Sequence, residues 1–363
     1  MSFNINWAEK LQPVRTSLEQ NTVINDPLNY SKLTGFIDFL FNPALNPRTI
    51  DVIQQENANQ GRYRSVEIKY EPHWGSEDLV TSDASVVCTK NNQKREYIDT
   101  YDVNLFAHYK FTLEENYLRD NVEEYEGDVK QSRLERGFRK AMRVCRESVD
   151  DQLLAKAAAN FGSNPARGTA AGSYADLQLI DSNSGADVNN FDEMHNDMED
   201  NYMQGPLAVV GLGNARKYFN RLAVGNLNTN AGVDVREMAA QFGGLLFKDQ
   251  AASSALGGAN RVLVFYPGLT QFYGYNLYKG AFVHESPNNL IKGTMPDPIY
   301  PFDWDFKIRY DDNCDTGNGL QGAWVVEVFK YFDLFTVPER AFGDDYGDLN
   351  EFNGIVGYNI TTA

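Results

Sequence analysis

The sequence predicts an α+β protein, and three stretches carry that expectation. Residues 112–161 place apolar side chains at helical spacing over an unusual length. Residues 64–111 alternate apolar and polar positions on both sides of a polar interruption, as two strands joined by a long tip do. Residues 302–336 alternate again, in two runs separated by turn residues.

Taken in order, residues 1–61 read as an extended arm without a core of its own. Its one strong apolar cluster, Phe36-Ile37-Asp38-Phe39-Leu40-Phe41, lies among the turn signals Asn25-Asp26-Pro27, Asn42-Pro43 and Asn46-Pro47. Such a cluster needs another surface to cover it, which makes Phe39 and Phe41 candidate contacts. From residue 64, Val66, Ile68 and Tyr70 point one way while Glu67, Lys69 and Glu71 point the other. The expected return strand puts Tyr97, Tyr101, Val103, Leu105, Ala107, Tyr109 and Phe111 on one face. The tip between them carries Trp74, Lys90 and Lys94. A lone two-stranded hairpin is marginal in water, so this one needs support from its own body or from neighbouring subunits.

The helix is expected to begin at a T-x-x-E capping box, Thr112 and Glu115. Leu118, Val122, Tyr125, Val129, Leu134, Phe138, Ala141, Cys145, Val149, Leu153 and Ala157 then form its apolar stripe. Acidic residues crowd its first third. A basic face follows, with Arg133, Arg136, Arg139, Arg143 and Arg146 opposite the stripe. Unbroken, such a helix spans roughly 65–70 Å, and Gly127 and Gly137 mark the points where it can kink or break. The apolar spacing follows no strict heptad, which favours a strut beneath other elements over a coiled coil.

Residues 162–172 form a small-residue loop. Val188, Phe191, Met194, Met198 and Tyr202 mark a shorter amphipathic helix, ended by Gly205-Pro206. An α/β-like unit follows: a strand at 207–210, helices at 214–222 and 235–242, and strands at 245–247 and 261–266. Residues 269–278 are aromatic-rich and fit either element. Phe302, Trp304, Phe306, Ile308 and Tyr310 alternate as a strand. A turn-rich loop at 311–322 leads into a long strand at 323–336, stopped by Pro338 and followed by an acidic, glycine-rich tail.

Composition bounds the function. A chain of 363 residues with 42% hydrophobic residues builds a core of normal size. Its net charge of −17 argues against a dedicated binder of nucleic acid or anionic membrane. Cys88, Cys145 and Cys314 are far apart and odd in number, with neither a disulfide framework nor zinc spacing. The first residues lack the basic and apolar regions of a signal peptide, and no apolar run reaches bilayer length. A soluble protein of a reducing compartment is expected.

No motif demands an enzyme. Val209-Val210-Gly211-Leu212-Gly213-Asn214-Ala215-Arg216 opens like a dinucleotide fingerprint, with Asp234 downstream. Its third glycine position holds Arg216, where close helix–strand packing needs Gly or Ala. Asp311-Asp312-Asn313-Cys314-Asp315-Thr316-Gly317 resembles a calcium loop. Thr316 and Gly322 occupy the sixth and twelfth positions, where Gly and Glu are required. His73, His108, His195 and His284 show no ligand pairing. No catalytic, cofactor or metal residues are therefore expected. The basic helix face has two readings: a solvated surface with i,i+4 pairs such as Glu126–Lys130 and Glu135–Arg139, or a face that pairs with an acidic neighbour or with phosphates.

The order of elements resembles the major capsid protein of tailed bacteriophages, with the HK97-type fold. In that family an N-terminal arm precedes a projecting E-loop, a spine helix in a peripheral (P) domain, an axial (A) domain and a long return strand. The resemblance implies an arm at 1–61, an E-loop at 62–111 and a P domain with the spine helix at 112–205. It places an A domain at 206–318, and the return strand with a C-terminal tail at 319–363. It implies a structural protein without cofactors that assembles as pentamers and hexamers into an icosahedral or prolate head. That head, assembled in the host cytoplasm, encloses double-stranded DNA without sequence preference. The other partners implied are a scaffolding protein, a portal and decoration proteins, with no membrane. Candidate inter-subunit contacts are Val66, Ile68, Tyr70, Trp74, Lys90 and Lys94 of the E-loop, Phe39 and Phe41 of the arm, and Arg136, Arg139 and Arg143 of the helix. Two alternatives are an encapsulin-like shell around protein cargo and a nucleotide-binding enzyme using the 209–216 turn.

Overall fold

A computed structural model of the chain describes residues 5–20, 32–44, 46, 51–53, 65–70, 97–114, 123–126, 129–178, 191–201, 207–213, 244–278, 280, 282–285, 290–315, 320–338 and 352–361. Helices α1 (Trp7–Gln20) and α2 (Gly35–Leu40) come first. Strands β1 (Asp51–Ile53), β2 (Ser65–Tyr70), β3 (Tyr97–Asp102), β4 (Leu105–Glu114), β5 (Glu123–Glu126) and β6 (Val129–Ser132) lead to the long helix α3 (Arg133–Ala159). Next come β7 (Ala175–Gln178), α4 (Phe191–Asp200), β8 (Leu207–Gly211), β9 (Gly244–Lys248) and the short α5 (Ala252–Ala255). The remaining strands are β10 (Arg261–Phe265), β11 (Thr270–Tyr275), β12 (Phe282–Glu285), β13 (Leu290–Pro296), β14 (Asp303–Asp315), β15 (Leu320–Thr336) and β16 (Ile355–Thr361). The protein is α+β, with a long helix and both antiparallel and mixed sheets.

The chain divides into two compact units. The first comprises Met1–Lys32, Asn104–Val149 and Gly274–Phe332; the second comprises Leu33–Val103, Asp150–Tyr273 and Asp333–Ala363. This differs from the expected division at 206–318, because β12, β13 and β14 join β4 and β15 in one antiparallel sheet of the first unit. One face of that sheet is spent on the core. Trp304, Phe306, Ile308, Val326 and Val328 are all buried. The Trp324 ring meets Trp7 of α1 edge-on at 4.9 Å, and Phe306 meets Phe138 of α3 at 5.5 Å. The arm therefore contains a helix that its reading as a coreless extension missed. Trp7, Leu11, Val14 and Leu18 recur at helical spacing and are buried.

The long helix starts at Arg133, not at Thr112. Thr112 lies in β4 opposite Val325, and β5 pairs with β6 as a hairpin. The acidic crowding explains the difference. In a helix, Glu124 and Asp128 repel at i,i+4; in the hairpin, Glu124 faces Gln131 and Tyr125 faces Lys130. The true start signal is Ser132-x-x-Glu135, in which the Ser132 hydroxyl accepts the Glu135 N–H at 3.2 Å. The helix runs unbroken through Gly137. A Cβ there would stand 2.3 Å from the Phe111 ring, so the glycine gives up helix propensity to let that ring lie against the backbone.

In the second unit a mixed five-stranded sheet runs in the order β7-β16-β10-β8-β9, with β7/β16 and β8/β9 parallel. The residues expected as an acidic tail end in β16. Ile355, Val356, Tyr358 and Ile360 are buried there, because the apolar run of 355–360 follows the acidic stretch and carries no charge. The arm's apolar cluster becomes α2 and packs on this sheet, with Phe36 and Phe39 each about 5 Å from Phe265 and Phe39 at 5.7 Å from Phe247. A separate antiparallel sheet orders β1-β2-β3. The expected single return strand is two. β3 stays with β2, while β4 belongs to the sheet of the first unit. Expected helices at 214–222 and 235–242 lie outside the described residues.

Candidate interaction surfaces

The sheet of the first unit has a second face, and its β4 strand shows what that face presents. Alternation turns Ala107 and Leu113 inward and Phe106, His108, Lys110 and Thr112 outward. Register then brings Tyr331 opposite Phe106, Phe329 opposite His108 and Glu327 opposite Lys110. Phe106 stacks on Tyr331 at 4.5 Å and on His108 at 5.9 Å while remaining 41% exposed. An aromatic strip bordered by charge results, and Arg309 pairs with Glu327 at 3.4 Å beside it. Cross-strand aromatic pairs stabilise the sheet, and the solvent-facing part is apolar surface available to a partner.

Buried charge stabilises this unit from within. Asp297 accepts the Trp304 indole N–H at 2.7 Å and the N–H groups of Ile299 and Tyr300, and it pairs with Arg146 at 3.3 Å. Asp305 is fully buried and accepts the N–H groups of Leu277 and Tyr278. Burial pushes its carboxyl up to about 6, against the pull of these two N–H groups and of Lys330. Lys330, also buried, donates to the Asn276 side chain and to the Asp303 carbonyl at 2.7 Å; burial brings its amine down to about 8. Burial likewise lifts the Cys145 thiol to about 12, leaving a packing residue with no reactive thiolate.

The sequence-predicted contact residues fall in different places. Phe39 is fully buried against its own unit, and Phe41 packs on Phe272 at 5.1 Å, so the arm cluster is covered by its own chain. Ile68 and Tyr70 are buried as well, with the Tyr70 ring 6.0 Å from Phe335. Val66 sits in β2 opposite Tyr101. Ile68 and Tyr70 share the buried face of β2 and Lys69 between them is half-buried, but alternation does not say what covers that face. Trp74, Lys90 and Lys94 lie outside the described residues. Arg139 is engaged within the first unit: it donates to Glu135 at 3.0 Å and to the Ser17 hydroxyl at 3.0 Å, tying α3 to α1. Arg136 and Arg143 are half-buried on the same helix. The sequence reading missed the Phe106–His108–Tyr331 strip. Its signal lies in the outward parity of β4, but the strip forms only through the pairing of β4 with β15, which no local pattern announces.

Gly211 ends β8, and residues 214–216 lie outside the described residues. The run Asp311–Asp315, expected as a loop, is the end of β14, with Asp311 opposite Ala323 and Asp315 opposite Leu320. Among the described residues no group of three or more potential metal ligands occurs, and no helix is long and apolar enough to cross a membrane.

No protein-family model matches the chain, and no curated protein matches it. Solved structures do. Over most of its length the chain is similar to phage capsid proteins. A phage-related protein from Bordetella bronchiseptica RB50 is 10% identical with a TM-score of 0.43, covering 96% of this chain and 95% of that one. The capsid of the cyanophage Pam1 is 10% identical with a TM-score of 0.41, covering 92% and 93%. The capsid of the myovirus XM1 is 11% identical with a TM-score of 0.39, covering 92% and 93%.

Proposed function

We propose that the chain is the major capsid protein of a tailed phage, a structural subunit that assembles with copies of itself into the shell of the head. The order of elements carries this reading: arm helices, a β2–β3 pair with a long connection, the long helix α3, then a sheet closed by the seventeen-residue strand β15. That order is the one the sequence shares with the HK97-type family. A subunit of this kind needs extended surfaces for several neighbours and no catalytic centre, and heterologous contacts that close make rings. The aromatic strip on β4 and β15 is one such surface. The connection at 71–96, with Trp74, Lys90 and Lys94, is a second in our reading, as an E-loop laid on the next subunit. The −17 charge suits a wall that encloses DNA without gripping it. Pentamers and hexamers, a scaffolding protein and a portal belong to the same proposal.

Sedimentation velocity of the purified full chain, with electron microscopy of the fast fraction, tests it. Closed shells or rings of five and six subunits are the expected result. A monomer or dimer at every concentration, also after co-expression with the genes beside it, overturns the reading. Shells that enclose a protein cargo and no DNA would replace the phage head by a nanocompartment.

A further inference from the structure

In the second unit two carboxyl groups meet inside the protein where no cation joins them. Asp150 of α3 and Asp249, just after β9, are both essentially inaccessible to solvent, and they accept the consecutive N–H groups of Ile37 and Phe36, which sets the two carboxyls side by side. Ionised side by side in a buried site, two carboxylates repel and can only accept; a proton on one of them removes that repulsion and lets it donate to the other. The remaining oxygens are committed to the backbone. Asp249 accepts the Phe36 N–H at 3.0 Å and the Ala251 N–H at 2.7 Å, and Asp150 accepts the Ile37 N–H at 2.8 Å. Phe36 and Ile37 open α2, whose first N–H groups have no partner within the helix.

We propose that Asp150 and Asp249 hold a single proton between them, and that this shared proton latches residues 33–46 onto the second unit. Asp150 carries the proton and donates it to Asp249, while its other oxygen caps Ile37. Removing the proton would place two negative charges together in a buried site and break the cap.

The surroundings offer no substitute for the proton. α2 brings Asp38, α3 brings Asp151 and β9 brings Lys248; Asp38 and Lys248 are exposed and Asp151 is half-buried. Asp151 raises the Asp150 carboxyl further, and α5 and β8 carry no charge. Lys156, further along α3, is held by Asp333 and Tyr101. A cation between the two carboxyls is disfavoured by the three N–H groups that already point at them. Burial, the neighbouring Asp249 and Asp151 together lift the Asp150 carboxyl to about 10, so the latch is closed at neutral pH. The fit of α2 leaves little room for adjustment, as a Cβ on Gly35 would come within 2.5 Å of the Lys248 carbonyl oxygen. Leu33 and Asp150 are each the first residue after the chain enters this unit.

Two measurements on the full chain decide the matter. Infrared spectroscopy at pH 8 should show the carbonyl band of a protonated carboxylic acid, and Asp150→Asn should remove it. Asparagine keeps the acceptor for Ile37 and supplies an N–H to Asp249, so this variant retains the latch without the proton. No such band in the native chain at pH 8, or a band unchanged in Asp150→Asn, overturns the proposal. So does a band that vanishes on adding magnesium or calcium, since the carboxyls would then be ionised around a metal. The second measurement is limited proteolysis. Cleavage within residues 33–46 should rise at least tenfold in the native chain as pH passes about 10, and not in Asp150→Asn. Equal cleavage of the two proteins across that range overturns the latch.

Discussion

Two buried acids in this protein are both raised by desolvation and end far apart. Asp305 in the first unit has Lys330 nearby, and its carboxyl settles at about 6. Asp150 in the second unit has Asp249 beside it, and its carboxyl is pushed up to about 10. Each also accepts backbone N–H groups, two for Asp305 and one for Asp150. Burial is the largest cause of both shifts, and the neighbours then act with opposite sign: Lys330 lowers Asp305 while Asp249 raises Asp150. A buried carboxyl near an amine is drawn toward its charged form; one beside another carboxyl is a proton trap.

The two arrangements pull the stability curve in different pH windows. A carboxyl raised in the folded state keeps its proton where the unfolded chain has released it. Its stabilisation is full below about pH 4 and is lost as pH rises toward the folded value. Lys330, lowered from 10.5 to about 8, acts oppositely: between those values the unfolded chain binds the proton and the folded one does not, so stability rises with pH. Both acids therefore act between pH 4 and 6, and Asp150 alone acts from 6 to 8. Above 8, Asp150 and Lys330 cancel. Stability should therefore fall steeply with pH between 4 and 6, less steeply from 6 to 8, and little above 8.

The largest effect should come from removing the buried amine. Lys330→Met takes the nearby positive charge from buried Asp305 and the donor from Asn276 and the Asp303 carbonyl, and should cost about 3–5 kcal/mol in urea unfolding at pH 7, where both groups are charged. At pH 5 the loss should be smaller, because Asp305 is then protonated. An equal loss at both pH values would show that packing, not charge, is what Lys330 contributes. Next is Asp150→Asn, which should flatten the curve between pH 6 and 8 by about 1.4 kcal/mol per unit and expose the rise due to Lys330 above pH 8. Asp305→Asn should leave that middle window untouched and remove about half of the slope between pH 4 and 6. If the two variants act in the same window, the contrast between the sites fails.

Neither site was legible in the sequence, for a plain reason. Asp150 and Asp249, or Asp305 and Lys330, are brought together by tertiary packing, and no local pattern announces it. The elements themselves were far more legible. Strands β2, β8, β9, β10, β14 and β15 follow from alternation or from apolar runs bounded by turns. Alternation fails where one phase serves two sheets: the inward positions around Val103 run on from β3 into β4 without a break in parity. Helical spacing fails at 118–129 for a similar reason, since an i,i+4 count ignores the charges between its apolar positions. Residues 7–18 failed in the opposite sense. Trp7, Leu11, Val14 and Leu18 were in register, but Pro13 and the turn signals downstream masked them. Of the interaction surface, the face of β4 was readable. That Phe329 and Tyr331 join Phe106 there depends on a pairing more than two hundred residues apart.

The smallest predicted effect separates these acid sites from ordinary stability. Ser132 caps the same helix that carries Asp150, but through a neutral hydroxyl that accepts the Glu135 N–H. Ser132→Ala should lower stability by about 1 kcal/mol, the usual cost of a lost N-cap. No proton is bound or released at a hydroxyl over this range, so the loss should be the same at every pH from 4 to 10. The curve should shift down without changing shape. Against that uniform shift, the change of slope in Asp150→Asn identifies a proton. A slope change in Ser132→Ala of similar size would mean instead that loosening α3 anywhere reaches the Asp150–Asp249 pair, and the pH response would belong to the helix as a whole.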